Sequence, residues 1–300
     1  MKNTLQLPSP VHKIENELTE KFNVHLFLKR DDLIHPEISG NKWRKLKYNI
    51  AQAKLEHKST ILTFGGAYSN HITATAKACQ LLGFNSIGVI RGEAHHLLNK
   101  SLQFAKDCGM DLKYLDRENY RNKDYYDFRT IISDFNDTDF YILPEGGANT
   151  LALKGCAEIV DEINNDNQQD FDFICCACGT GTTVAGIASN LQAHQKAIGI
   201  AVLKHNYLKE EIIEKYNIES LKLDIQNYHF NGYAKTTNEL MEFIKNFYYE
   251  HDILLDYVYT GKMMFGVFDL IQKGYFARNS KVICIHTGGV MNANVFDITK

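Results

Sequence analysis

The sequence predicts an α/β protein with two open, mostly parallel sheets, each flanked by helices. The first observation is a series of short β-rich runs separated by helix-length segments, and the second is another such series further along the chain. The third is the length, because 300 residues at about 150 per domain suggest two domains. Ligands of open parallel sheets bind beyond the carboxyl ends of the strands, so we expect the functional residues just after strands.

Seven runs are predicted as strands. The first series comprises TILTF (60–64), SIGVI (86–90), DLKYL (111–115) and FYIL (140–143). The second comprises FDFICCAC (171–178), AIGIAVL (197–203) and KVICIH (281–286). No proline-rich linker, low-complexity tract or long repeat separates the two series, so we expect the domains to be interleaved or tightly packed.

The composition excludes several classes of protein. Lys and Arg number 33 and Asp and Glu number 36, giving a net charge of −3 without blocks of like charge, so we expect no nucleic-acid or membrane partner. No apolar run approaches the roughly 18 to 20 residues of a membrane span, and MKNTLQLPSP lacks the apolar stretch of a signal peptide. Seven cysteines, an odd number, argue against a disulfide framework and favour the reducing cytoplasm.

Cys175, Cys176 and Cys178 lie close enough in sequence to raise the question of a metal site. They lack the two-residue gap and the second ligand pair of a zinc site. Free cysteine behaves as a small hydrophobic residue, so we expect a buried strand here and no metal.

The segment GTGTTVAG (179–186) follows a predicted strand and leads into an apolar helix. Glycines let successive amides point at one anion, threonines add hydroxyl donors and the helix N-terminus adds positive charge, which favours a phosphate site. The candidate ligands are Gly179, Thr180, Gly181, Thr182 and Thr183. An empty glycine turn is the simpler alternative. A dinucleotide site would place an acidic residue after the next strand, where Lys204 stands, and an NADP-dependent oxidoreductase would use Lys204 for a 2′-phosphate.

The segment SGNKWRKLKYNI (39–50) places Lys42, Arg44, Lys45 and Lys47 at one helix start. Cations there oppose the helix dipole unless they face an anion or spread into solvent. A solvated basic face is one interpretation. The other is that Lys42, with a pKa lowered by burial and cationic neighbours, is an amine nucleophile able to form a Schiff base.

Two further regions follow predicted strands. In GGAYSNH (65–71), Ser69 and Asn70 suit a helix N-cap, and His71 suits either a structural or a catalytic role. The same helix N-terminus would suit a substrate carboxylate. Near the C-terminus, YTGK (259–262) and HTGG (286–289) each place a threonine and a glycine at a turn.

Taken together and in this order, the motifs resemble the pyridoxal-phosphate enzymes of fold type II that include 1-aminocyclopropane-1-carboxylate deaminase and D-cysteine desulfhydrase. The resemblance begins at LKRDDL (28–33) and runs through SGNKWRKLKY, GGAYSNH, LPEGGANTLALKG, GTGTTVAG, LLDYVYTGKMMFG and HTGG. It implies pyridoxal 5′-phosphate as the cofactor, in a cleft between a large and a small domain. The large domain would comprise residues 1–44 and 150–300, and the small domain residues 45–149, in a protein that resembles homodimers.

The resemblance also implies roles for individual residues. Lys42 would be the Schiff-base lysine and would move the α-proton, and Lys45 would join the phosphate loop. Asn70 would reach the phenolic oxygen of the cofactor ring. Ser69 and His71 would lie on the substrate side, with Ser69 near the carboxylate or acting as a nucleophile. The remaining residues implied are Tyr233 and Tyr259 in the substrate pocket, counted with Lys42 and Ser69 as catalytic, and Thr260 and Thr287 beside the cofactor.

Two threonines favour one branch of the family. In the deaminase branch the corresponding motifs resemble YEGK and HLGG. The motifs YTGK and HTGG of this chain resemble those of the desulfhydrase branch. The resemblance therefore implies D-cysteine, converted to pyruvate, ammonia and sulfide, with deamination of 1-aminocyclopropane-1-carboxylate to 2-oxobutyrate as the alternative. Tyr68 and Ala148 depart from the family pattern, where glutamine and serine are usual. An idle homologue that only binds a metabolite is the alternative from another class.

Overall fold

A computed structural model of the chain describes residues 5–38, 40–94, 97–123, 140–165 and 170–289. Within these residues the strands form one six-stranded and one four-stranded sheet. In chain order they are β1 (Val11–Ile14), β2 (His25–Lys29), β3 (Thr60–Gly65), β4 (Asn85–Arg91), β5 (Met110–Leu115), β6 (Phe140–Leu143), β7 (Phe173–Cys178), β8 (Lys196–Ala201), β9 (Leu223–Asn227) and β10 (Lys281–Ile285).

The larger sheet has the order β1-β2-β10-β7-β8-β9, and the smaller has the order β5-β4-β3-β6. Every pairing is parallel except the edge pair β1 and β2. Parallel strands need crossover connections, and helices supply them. The helices are α1 (Glu17–Phe22), α2 (Asn41–Leu55), α3 (Asn70–Leu82), α4 (Lys100–Asp107), α5 (Arg117–Arg121), α6 (Thr150–Asn165), α7 (Thr182–Ala188), α8 (Leu208–Tyr216), α9 (Asn238–His251) and α10 (Thr260–Gln272).

Helices cover both faces of the larger sheet, and β7 shows this clearly. Cys175 packs in the core that α9 and α10 share with the sheet, whereas Cys176 and Cys178 pack in the core formed with α6, α7 and α8. This alternation follows from the two-residue period of a strand. All seven cysteines are free and buried. Among the described residues, no group of three or more His, Cys, Asp or Glu side chains is placed to hold a metal ion.

The predicted fold class is confirmed: both series of strands form mostly parallel sheets flanked by helices. All seven predicted strands are present, although β7 begins at Phe173 and β8 ends at Ala201. Sequence reasoning missed β1, β2 and β9. Two of these, β1 and β9, are edge strands with few buried positions, so their sequences carry little apolar pattern.

The two predicted domain boundaries differ in where they lie relative to the helices. The boundary between residues 44 and 45 lies inside α2, and the one between residues 149 and 150 lies directly before α6. The division into a large and a small domain stays a prediction. In the described part of the chain, no helix combines the length and the apolar character needed to cross a membrane.

Candidate active site

A cavity of about 420 Å³ opens where the carboxyl ends of strands from both sheets meet. Its wall includes Arg91 at the end of β4 and the segments that follow β3 and β6 of the smaller sheet and β7, β8 and β10 of the larger one. The cavity brings together thirteen of the residues predicted from sequence: Lys42, Lys45, Ser69, Asn70, His71, Gly179, Thr180, Gly181, Thr182, Thr183, Tyr233, Tyr259 and Thr287. Thr260 is the predicted residue that does not line it.

The start of α2 is pressed against the segment that follows β10. Gly40 has φ of 47°, and a Cβ added to it would lie 2.1 Å from the Thr287 carbonyl oxygen. Only glycine fits this close approach and this conformation. The backbone N–H of Asn41 donates to the same carbonyl at 3.4 Å. The close approach of Gly40 and Asn41 to Thr287 therefore fixes Lys42, which follows Asn41, at the cavity wall.

The four cations at the start of α2 have different environments. Arg44 is 1% exposed, and its guanidinium group donates to the carboxylates of Asp31 and Glu162. Lys47 pairs with Glu158 away from the cavity. Lys45, by contrast, is 4% exposed and lines the cavity with Lys42. The alternative of a solvated basic face is therefore wrong.

Lys42 is electrostatically suited to act as a nucleophile. Burial, with a further contribution from the nearby Lys45 ammonium group, lowers its pKa to about 7 against weaker opposing effects that include the Asp256 carboxylate. Its Nζ donates to Asn41 Oδ1 at 3.0 Å. Burial also lowers the pKa of Lys45, whose Nζ donates to the Gly146 carbonyl at 3.2 Å. A substantial fraction of Lys42 is thus an uncharged amine near neutral pH.

The glycine-threonine loop forms another part of the cavity wall. Gly181 precedes α7 with φ of 81°, and a Cβ there would lie 2.4 Å from Ile212 Cγ1 of α8. Two threonines are buried and hydrogen-bonded: Thr182 Oγ1 lies 2.9 Å from the Tyr216 hydroxyl, and Thr183 Oγ1 accepts from Asn41 Nδ2 at 2.8 Å. The loop is therefore held rigidly, with its glycines and the exposed Thr180 at the cavity.

The segment after β3 contributes Ser69, Asn70 and His71. Ser69 is the N-cap of α3, and its Oγ accepts weakly from the backbone N–H of His71 at 3.3 Å. The structure therefore shows the N-cap role that the sequence predicts for Ser69. The same geometry leaves Ser69 on the cavity wall beside a helix N-terminus, which favours an anionic group there.

His71 is 3% exposed, and its two ring nitrogens differ. Thr63 Oγ1 donates its single proton to the Leu143 carbonyl at 3.0 Å, so His71 Nε2 is the donor in the 2.7 Å contact with that hydroxyl. His71 Nδ1 is then a bare acceptor, and it has no hydrogen-bond partner among the described residues. Burial lowers the pKa of His71 well below its ordinary value, helped by Lys42 and Lys45. The ring is neutral at pH 7.

Two tyrosines line another part of the cavity. The rings of Tyr233 and Tyr259 lie edge to face, with centroids 6.5 Å apart. Tyr233 is half exposed, whereas Tyr259 is mostly buried. Burial raises the pKa of both phenols, and for Tyr259 the neighbouring Tyr233 adds to the effect. Both side chains are uncharged hydroxyl groups at neutral pH.

Thr260 lies behind the cavity because Asp256 engages it. The Thr260 hydroxyl donates to Asp256 Oδ2 at 2.7 Å, and the carboxylate also accepts from the backbone N–H groups of residues 258, 259 and 260. Asp256 is 3% exposed, and its carboxylate thus satisfies the backbone N–H of Thr260, the first residue of α10. This placement therefore gives Thr260 no direct contact with a cofactor in the cavity, contrary to the prediction. Thr287, by contrast, lines the cavity.

Sequence reasoning missed other residues of the site. Arg91 ends β4 and Glu145 follows β6, and both side chains line the cavity. The expectation that functional residues follow strands could have found both. From the sequence, the pair Gly40 and Asn41 predicts only a turn. Asp256 has no local signal beyond its position four residues before Thr260.

The residues present fit pyridoxal phosphate. The Lys42 amine, largely desolvated and with a pKa of about 7, suits attack on an aldehyde. The glycine-threonine loop and Lys45 suit a phosphate group. The unpaired Nδ1 of His71 is a buried acceptor on the same wall. A volume of about 420 Å³ is ample for a small cofactor with an amino-acid substrate.

Comparisons with known proteins show which proteins the chain resembles. The chain is 31% identical to a protein of Thermotoga maritima provisionally named 1-aminocyclopropane-1-carboxylate deaminase, over 94% of each chain. It is 30% identical to the bifunctional D-cysteine desulfhydrase/1-aminocyclopropane-1-carboxylate deaminase of Arabidopsis thaliana, over 95% of this chain and 77% of that one. A solved structure described as an ACC deaminase homologue superposes with a TM-score of 0.84 at 28% identity, over 95% of this chain and 90% of that one.

The family match extends over both sheets and every wall of the cavity. The family described as pyridoxal-phosphate dependent enzyme matches residues 3–288. This range includes Lys42, the glycine-threonine loop and Thr287. The chain therefore belongs to the family of pyridoxal-phosphate dependent enzymes.

Proposed function

We propose that this enzyme catalyses β-elimination of D-cysteine to pyruvate, ammonia and hydrogen sulfide. The observation that carries the proposal is that Thr287, a neutral residue, lines the cavity, whereas Thr260 lies behind it and donates to the buried Asp256 carboxylate. Thr260 donates to Asp256, whose carboxylate is already satisfied by backbone donors, so neither position offers the free carboxylate of the YEGK pattern. By the family resemblance, the positions of Thr260 and Thr287 serve the nitrogen of the cofactor ring.

The electron demand of the reaction distinguishes the candidate substrates. Bound pyridoxal phosphate would supply an electron sink for the carbanion that forms at the substrate α-carbon. A carboxylate beside the ring nitrogen would strengthen that sink, and a threonine hydroxyl strengthens it less. Removing an α-proton and expelling sulfide needs less assistance than opening a cyclopropane ring without an α-proton. Thr260 and Thr287, in place of the glutamate and leucine of YEGK and HLGG, therefore favour elimination.

In the elimination, Lys42 accepts the α-proton. Its pKa of about 7 keeps a substantial fraction of the amine uncharged and able to act as a base near neutral pH. The electron pair of the Cα–H bond forms the Cα–Cβ double bond as the Cβ–S bond breaks. Sulfide leaves and takes up a proton, and the released 2-aminoacrylate reacts with one water molecule to give pyruvate and ammonia.

Ser69 and the two tyrosines would orient the substrate. Ser69 lies at the N-terminus of α3, where the partial positive charge of the helix favours the substrate carboxylate. Tyr233 and Tyr259 line the cavity with their rings edge to face, and by the family resemblance their hydroxyl groups would face the substrate. Lys45 and the glycine-threonine loop would hold the phosphate, which leaves Lys42 free to transfer the proton.

Deamination of 1-aminocyclopropane-1-carboxylate is the second candidate, because the relatives from Thermotoga maritima and Arabidopsis thaliana carry that activity in their names. The products separate the two candidates. We would incubate the purified enzyme, supplied with pyridoxal phosphate, with D-cysteine, L-cysteine and the cyclopropane acid, and measure sulfide, pyruvate and 2-oxobutyrate.

Equal amounts of sulfide and pyruvate from D-cysteine are expected, with much less from L-cysteine. The matched controls are Lys42→Met, which should form neither product, and Lys47→Met, which should retain activity because Lys47 pairs with Glu158 outside the cavity. Formation of 2-oxobutyrate alone would establish the deaminase instead. Cofactor binding without any product would indicate an idle homologue.

A further inference from the structure

Lys262 ends the YTGK motif, and the proposed reaction gives it no role. It lies in the first turn of α10 and is 0% exposed. A buried lysine without compensating partners is costly, so its ammonium group must be paired or hydrogen-bonded. The structure shows these partners, and they lie in the loop that leads to Tyr233.

The Lys262 ammonium group donates to two backbone carbonyls. Its Nζ lies 3.1 Å from the His229 oxygen and 3.0 Å from the Gly232 oxygen. The same ammonium group lies 5.7 Å from the centre of the Phe230 ring, within the range of a cation–π interaction. Lys262 therefore holds both ends of the turn that immediately precedes Tyr233.

This turn needs an external constraint because its backbone is strained. Phe230, Asn231 and Ala234 have φ of 49°, 67° and 54°, a conformation that side chains with a Cβ rarely adopt. Gly232, at φ of 139°, lies between them. Residues in such conformations persist only when surrounding contacts fix them.

Helix α10 supplies more of these contacts along one face. Phe265 packs edge to face on Phe230, with ring centres 5.3 Å apart. Asp269 accepts from the Tyr228 hydroxyl at 2.5 Å. A Cβ at Gly266 would lie 2.8 Å from the Tyr228 ring, so the loop is packed closely on the helix. Lys262 is the member of this face nearest in sequence to the cavity residue Tyr259.

We propose that Lys262 is a positioning residue that fixes Tyr233 at the cavity through the carbonyls of His229 and Gly232. Tyr233 is half exposed, so the position of its hydroxyl depends on its loop and on one neighbour, Tyr259, which it contacts edge to face and by a side-chain hydrogen bond. This inference rests on the proposed function and deepens it. The position of Tyr233, which would orient the substrate, then depends on Lys262, a lysine outside the cavity.

Hydrogen exchange in the cofactor-bound enzyme tests the constraint without using activity. Lys262→Met keeps the apolar stem and removes the donors. We expect faster exchange of backbone amides in residues 229–235, by about tenfold or more, with exchange in α3 and α7 unchanged. The control is Lys245→Met in α9, a lysine that is only partly buried, which should leave the loop unaffected. Unchanged exchange in residues 229–235 would overturn the proposal.

Kinetics on D-cysteine provide the second test, and only this test rests on the proposed function. Lys262→Met should raise KM about tenfold and change kcat by less than about threefold, because Lys42 still transfers the proton. In a Tyr233→Ala background the same change should add little. Additive effects on KM would show that Lys262 does not act through Tyr233. If Lys262→Met does not fold, Lys262→Gln, which keeps one donor group, should give the same pattern with smaller changes.

The two tests can fail separately. If no sulfide forms from D-cysteine, the proposed function is wrong, yet the hydrogen-exchange result still decides the role of Lys262. If D-cysteine is the substrate and exchange in residues 229–235 does not respond to Lys262→Met, the positioning role is wrong and the proposed function stands.

Discussion

The side-chain amide of Asn41 donates to the hydroxyl of Thr183 across 2.8 Å and joins the start of α2 to the glycine-threonine loop. Both residues are 5% exposed, and 142 positions of sequence separate them. Asn41 Oδ1 also accepts from Lys42 Nζ. One side chain therefore connects the reactive lysine with the loop that would hold the phosphate.

Removing either partner of this hydrogen bond should lower the free energy of unfolding, and the two removals should not be additive. Asn41→Ala and Thr183→Val should each lower the free energy of unfolding by about 1 to 3 kcal/mol, because each leaves a buried polar group without its partner. The double variant should lose less than the sum, by about 0.5 to 1.5 kcal/mol. Urea unfolding of the cofactor-free proteins measures all three values.

Asn190→Ala is the matched control for this cycle. Asn190 donates to the Ala157 carbonyl and to Asp161 near the other end of α7. It has no contact with Thr183, so its effect should add to that of Thr183→Val. Strict additivity of Asn41→Ala with Thr183→Val would contradict the coupling.

The lowered pKa of Lys42 predicts how stability depends on pH. Burial lowers this pKa from 10.5 to about 7, so the unfolded chain binds one more proton than the folded chain between those values. The cofactor-free protein therefore carries a penalty from Lys42 that is complete below about pH 7 and disappears as the pH rises towards 10.5. Lys42→Met should remove the penalty.

We expect Lys42→Met to stabilise the cofactor-free protein by about 1 to 2 kcal/mol at pH 6, less than the full shift at about 1.4 kcal/mol per pKa unit, because the cavity admits water. At pH 10 the desolvation of Lys42 should contribute little to the difference in the free energy of unfolding between the two proteins. Urea unfolding at both values of pH measures the difference. An equal effect at the two values would show that the amine is not desolvated as the structure indicates.

The sequence predicts those parts of the site that follow local rules. The buried strands β3, β4, β7 and β10 have continuous apolar runs, and the residues after three of them form cavity walls. This rule predicts the glycine-threonine loop and the Ser-Asn-His segment, whereas Lys42 is predicted from the cluster of cations at one helix start. The meeting of Lys42 with that loop required the family resemblance, because 137 positions separate Lys42 from Gly179 and no local pattern relates them.

Long-range polar networks have no such signal. Asp31 is 0% exposed and accepts from Arg44, which also donates to Glu162, 118 positions further on. From the sequence, Arg44 is one cation in a basic segment. Its burial follows from how α2 packs against α6, which neither period nor composition determines.

This network predicts a large loss of stability on removing Arg44. Arg44→Met should lower the free energy of unfolding by about 3 to 5 kcal/mol, because it leaves the buried Asp31 carboxylate without its cation. Lys47→Met, on the same helix, should cost less than about 1 kcal/mol, since its partner Glu158 is partly exposed. Urea unfolding compares the two, and similar losses would contradict the assignment of Arg44 as the buried member.

His71 predicts the behaviour of the site in acid. Burial holds its pKa well below 6.5, so below about pH 6.5 the unfolded chain takes up a proton that the folded chain does not. Stability present above that pH is lost as the pH falls. Between pH 6.5 and 5.5 the wild type should therefore lose about 1 kcal/mol more than His71→Gln, which has no titrating ring.

Thr63→Val is the control for this effect. It removes the hydroxyl that His71 Nε2 meets at 2.7 Å and keeps the titrating ring, so the protein should be less stable at every pH but should keep the acid-dependent loss. Urea unfolding at pH 5.5, 6.5 and 7.5 gives the slope for each protein. If His71→Gln keeps the wild-type slope, the ring is protonated in the folded state, and Nδ1 then donates a hydrogen bond at the cavity wall instead of accepting one.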